Sequence, residues 1–106
     1  MTRWAKHPMI IMINGENMSK ETRNKIKATI ENVEKLLISK NIQYGDSALD
    51  PIGLFAKGNA EDLIRVRIDD KLSRLKSGDD SIESDEDVIE DLIGYLVLLL
   101  VVMREQ

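Results

Sequence analysis

Apolar residues recur at helical intervals in three stretches of this chain and lose that rhythm between them. Ile26, Ile30, Val33 and Leu37 follow the i, i+4, i+7, i+11 spacing of one helix face. Ser19 suits an N-cap and Glu21 complements the helix dipole, so the pattern predicts a helix from about Lys20 to Lys40. Ile64, Ile68, Leu72 and Leu75 predict a second helix, with Asn59 as its N-cap and Glu61 and Asp62 in its first turn. A third begins after Ser84 or Asp85, carries Glu86 and Asp87 at its head and runs to about Met103. From Leu92 to Met103 every residue except Gly94 and Tyr95 is aliphatic or Met, a run shorter than the roughly 20 residues of a membrane span. A helix apolar all round is buried on several sides, which here implies partner copies as well as the chain itself.

The connecting stretches read differently. Residues 9–13, MIIMI, lie between Pro8 and the turn-forming pair Asn14-Gly15, which predicts a short strand or an extended arm. The run is too short for a signal h-region and has no small-residue cleavage site after it. Trp4 is read as a packing anchor for this arm, taken as residues 1–18, and His7 as having no special role; residues 19–106 form the single domain. Tyr44-Gly45 fits a helix stop with Gly in a left-handed conformation. The following connection to Asn59 keeps several apolar residues and predicts an ordered loop with a helical turn near Pro51 to Phe55. The expected fold is therefore all-α: a small bundle of three main helices plus a short helical turn and an N-terminal extended arm.

Composition narrows the chemistry. With 106 residues, 42% of them hydrophobic, the chain supports one core, small enough that oligomerisation would help bury it. A net charge of −4 from 15 basic and 19 acidic residues, with no long basic tract, argues against duplex nucleic acid as a partner. The absence of cysteine excludes disulfides and thiolate metal sites and is compatible with a reducing cytoplasm. One histidine excludes multi-His sites, leaving carboxylates and a hard cation such as magnesium as the available metal chemistry.

Charge placement supplies the candidate site. Arg67, Asp70, Lys71 and Arg74 fill the sector beside the apolar stripe of the second helix, with Lys71 closest to it. Snorkelling stems with an Asp70–Arg74 pair would account for them, and so would a phosphate or carboxylate ligand. Asp87 and Asp91 lie one turn apart on the third helix, on the face shared with Gly94, where a backbone or ligand can approach closely. Carboxylates on so apolar a helix need cations or a metal, which Arg67, Lys71 and Arg74 could answer. Tyr44 is either a buried aromatic or a stacking surface for a base. Glu31 and Glu34 form an E-x-x-E pair, read as a solvated face with Lys27 and Lys35 or as a shared cation site.

Three blocks together carry a resemblance: Tyr44-Gly45; R-x-x-D-K-x-x-R-L at Arg67, Asp70, Lys71, Arg74 and Leu75; and Glu83, Glu86-Asp87, Asp91 and Tyr95. In that order and spacing they resemble the phage nucleotide-modification-associated domain family, over about Leu36 to Met103. The resemblance implies an all-α domain near the MazG-like NTP pyrophosphohydrolases, serving nucleotide metabolism in the cytoplasm of an infected host. Read as a hydrolase, the chain would hold Mg2+ on Asp87, Asp91 and one of Asp70 or Glu90, with Asp91 and Glu90 as catalytic groups and Arg67, Lys71, Arg74 and Tyr44 on the nucleotide. The MazG pattern also places an acid three residues before the final Asp, where this chain has Val88. Two other readings stand beside the hydrolase: a protein that binds and sequesters a nucleotide or nucleotide-derived signal, and a purely structural helical oligomer.

Overall fold

The computed structural model describes residues 8–53 and 57–105, with side chains from residue 18 onward. It is all-α, with helices α1 (Pro8–Tyr44), α2 (Ala60–Ser77) and α3 (Asp85–Arg104) and no strand among the described residues. The chain divides into two compact units, Met1–Lys35 and Leu36–Gln106. In the second unit the last turns of α1, with α2 and α3, make the small bundle that the periodicity predicts. No helix among the described residues is long and apolar enough to cross a membrane.

Local chemistry sets most of the boundaries. Asn59 caps α2 by accepting from the backbone N–H of Asp62 at 2.8 Å, and Ser84 caps α3 by accepting from that of Asp87 at 3.1 Å. Gly45 and Gly78 follow α1 and α2 at φ 67° and 72°, the left-handed stop that a residue without Cβ takes at little cost. The Gly45 N–H donates to the Asn41 carbonyl at 2.7 Å, satisfying one of the helix's last acceptors.

Two boundaries differ from expectation. The helix predicted from Lys20 begins at Pro8, so MIIMI is helical rather than an extended arm. Proline is well placed at a first helical position because the N–H it lacks has no intrahelical acceptor there. Asn14-Gly15 costs the helix on the order of 1 kcal/mol, too little to break a helix of this length. Trp4 and His7 lie outside the described residues. A helical turn lies ahead of the one expected at Pro51 to Phe55, at Asp46 to Asp50, where the Leu49 and Asp50 N–H groups both donate to the Asp46 carbonyl. Pro51–Gly53 has no regular structure, and residues 54–56 lie outside the described residues.

Burial is concentrated where α2 meets α3. Ile64, at 1% exposure, packs into this contact with Val88 and Leu99 to form the core. Ile68 and Leu75 are half-buried as the stripe predicts, whereas Leu72 is exposed, because α3 covers only part of the predicted face. Gly94 is buried, and Leu37 Cδ1 of α1 lies 3.4 Å from where a Cβ on Gly94 would stand. The close approach expected at this glycine is thus made by an apolar side chain. In the first unit Val33 is half-buried, while Ile26 and Ile30 are 51% and 61% exposed.

Candidate functional site

Arg67, Lys71 and Arg74 recur at i, i+4 and i+7 and so share one side of α2. Asp91 and Tyr95 stand one turn apart on α3, Glu83 lies just before the α3 cap, and Lys40 lies in the last turns of α1. Lys71 is the hub. Its ammonium donates to Glu83 Oε1 at 3.0 Å and to Asp91 Oδ2 at 2.8 Å, and its side chain is only 11% exposed. Lys40 Nζ donates to the other Asp91 oxygen at 2.7 Å, and Arg74 Nη1 pairs with Glu83 Oε2. The result is an alternating chain, Lys40, Asp91, Lys71, Glu83, Arg74, that ties all three helices of the second unit through charge-assisted bonds. The Arg67 guanidinium sits over the Tyr95 ring, 5.9 Å from its centroid, within the range of a cation–π contact.

The mutual pairing stabilises the charged forms of Asp91, Lys71 and Lys40. Burial alone would push the Asp91 carboxyl up, but the hydrogen bonds and charges of Lys40 and Lys71 outweigh it and hold the group below its ordinary range. Burial would likewise lower Lys71, and its bonds to Asp91 and Glu83 reverse that and raise it. The bond to Asp91 also raises Lys40. These carboxylate and ammonium groups therefore move away from neutrality in opposite directions, whereas a general acid or base works best with a pKa near the operating pH.

The sequence-derived candidates are brought together in part. Lys71, Arg74 and Asp91 meet in the network, and Arg67 joins its edge through Tyr95. Asp70 and Asp87 are exposed, Glu90 is half-buried, and Tyr44 is exposed at the end of α1. The expected Asp70–Arg74 pair is not among the ion pairs of the described residues; Arg74 engages Glu83 instead. Glu31 and Glu34 are exposed on the first unit. For the implied magnesium, Asp91 already receives an ammonium on each oxygen, and Asp70 and Asp87 do not join it. Among the described residues no three His, Cys, Asp or Glu side chains are grouped to hold a metal ion.

Two members of the network have no role assigned to them by the sequence. Lys40 carried a signal: it continues the 26, 30, 33, 37 rhythm of α1, so a charge occupies the next position of an apolar stripe. Glu83 enters the sequence reading only as part of the third block of the resemblance, with no role of its own, because no local rule pairs it with Lys71, twelve residues away.

Comparison with known proteins gives no relative: no family model, no curated protein and no solved structure matches this chain.

Proposed function

We propose that this chain is a nucleotide-handling protein of the phage type that its three residue blocks resemble, and that it binds a phosphorylated ligand without hydrolysing it. The observation that carries the reading is the self-paired network around Lys71, whose three cations and two carboxylates leave an excess of positive charge. Its outer heads, Lys40 and Arg74, are about half exposed, and Arg67 lies exposed on Tyr95, so guanidinium and ammonium donors remain accessible to an anionic group. Arginine suits bidentate contact with phosphate oxygens, and lysine supplies a point charge. Binding draws on the charged forms of Lys40, Lys71 and Asp91 that the pairing favours, which is why this reading is preferred to a pyrophosphohydrolase. The host cytoplasm is the compartment this role requires.

A panel of nucleoside mono-, di- and triphosphates, each with and without magnesium, tests the proposal by thermal shift and by product release. Stabilisation without product is expected, with loss of the shift in the double variant Arg67→Ala/Arg74→Ala while its helical circular dichroism is retained. Product release would establish the hydrolase instead. Absence of any shift across the panel would leave the network as a brace between helices and end the binding proposal.

A further inference from the structure

The side of α3 turned away from the network carries a second pattern. Ile89, Ile93, Leu96, Leu100 and Met103 follow alternating steps of four and three residues, the spacing of a coiled-coil seam, and all are at least one-third exposed. At about 100° per residue this seam lies nearly opposite Asp91. The buried Val88 and Leu99 lie about a quarter-turn round the helix from it, where α2 packs on α3, and the seam itself stays open.

The geometry points to a second copy of this chain as the occupant, with the two α3 helices packed antiparallel about a two-fold axis near Leu96. In that register Leu96 meets the partner copy's Leu96, Ile93 meets its Leu100 and Ile89 meets its Met103, so one stripe serves both copies as an isologous interface. Charge selects the direction. The stripe is flanked at its head by Glu86 and Glu90 and at its tail by Arg104, and antiparallel packing brings these opposite charges together. Parallel packing would instead set the acidic first turns, Asp85, Glu86 and Asp87, side by side. The area agrees. The exposed parts of Ile89, Ile93, Leu96, Val97, Leu100 and Met103 amount to on the order of 500 Å² per copy, and their complete burial in two copies reaches the roughly 1,000 Å² at which a biological interface begins.

The absence of cysteine from these 106 residues makes the register directly readable by cross-linking of the whole chain. Leu96→Cys is expected to form a disulfide-linked dimer on mild oxidation. Neither Ile89→Cys nor Met103→Cys should link to itself, whereas a mixture of the two should link to each other. Self-linking of Ile89→Cys and of Met103→Cys separately would overturn the antiparallel arrangement. Sedimentation equilibrium tests the face: Ile93→Glu should weaken the dimer by about tenfold or more, and Ile82→Glu, at a 98% exposed residue outside α3, should not. Arg104→Glu should weaken it, and adding Glu90→Arg should restore it. A wild-type chain that stays monomeric at all concentrations, or a dimer indifferent to Ile93→Glu, would refute the proposal. Because the seam lies away from the network, these results are independent of whether a nucleotide binds.

Discussion

The apolar stripes of α1 and α2 both recur in helical steps of three and four residues and have different fates. On α2, Ile64 is sealed against α3 and Ile68 is half-buried; on α1, Ile26 and Ile30 stand more than half exposed. Spacing specifies the face a helix can bury, while burial itself depends on another element being delivered to that face. Helix α3 reaches α2 after a turn of only a few residues, Gly78 to Ser84, whereas the first unit offers its stripe no comparable cover among its described side chains. Truncation should expose the contrast most strongly. Ile64→Ala should cost about 2–5 kcal/mol, as large-to-small changes in a closed core do, while Ile30→Ala should stay within about 0.5 kcal/mol. Urea denaturation of both variants measures the difference, and equal costs would mean that the α1 stripe is covered in solution.

Polar residues repeat the contrast. Glu21 and Lys25 pair at 3.2 Å on α1 with both side chains largely in water, the kind of ion pair that contributes little. Asp91 is mostly enclosed and accepts from two ammonium groups, so Asp91→Asn should destabilise the second unit by about 1–3 kcal/mol through partners left unsatisfied. The pH dependence follows from the shifts. Asp91 has a folded pKa below its ordinary 3.8, so its contribution is complete above that value and disappears as pH falls through the lowered one. Lys40 and Lys71 have folded values above 10.5, so their contribution is complete below that value and is lost as pH rises through the raised ones. The gap in melting temperature between wild type and Asp91→Asn should be widest across the neutral range and close at both extremes. A gap that changes steeply between pH 5 and 8 would show a group in the network titrating near neutrality and reopen the case for acid–base catalysis.

The residues legible in the sequence are those whose partners are close along the chain. Asn59 and Ser84 were readable as caps because each bonds a backbone N–H three residues on, and Gly45 was readable as a stop because its role is set by its own φ. Asn59→Ala should therefore cost about 1 kcal/mol, measurable as a small shift of the urea midpoint. The network was only half legible. Arg67, Lys71, Arg74 and Asp91 stood out by crowding apolar faces, but Lys40 and Asp91 are 51 positions apart, and no local rule pairs them. The local rule also misled, since Asp70 is well spaced for Arg74 and yet Glu83, nine residues away, takes the guanidinium. The start of α1 is illegible because Pro8 and Asn14-Gly15 read as breakers, although proline is harmless in a first turn and one Asn-Gly pair costs less than a long helix supplies.

Gly94 gives the smallest effect and the finest test of how the second unit closes. Two terms oppose each other in Gly94→Ala. Replacing a helix-interior glycine by alanine is worth up to about 1 kcal/mol in propensity, and the backbone here is ordinary helix with no positive φ to forbid a side chain. Against this, the new methyl group would stand 3.4 Å from Leu37 Cδ1, at the near edge of ordinary van der Waals contact. The contacting atom is the end of a leucine side chain, which can yield by a few tenths of an ångström more easily than backbone can. Propensity should prevail, and Gly94→Ala should raise stability by about 0.5 kcal/mol, read as a small increase in the urea midpoint at unchanged m. If stability falls instead, Leu37 is held too firmly to move, and the end of α1 belongs to the core as fully as the α2–α3 contact. In that case the double variant Gly94→Ala/Leu37→Ala should recover part of the loss, because removing the leucine's outer carbons removes the obstruction.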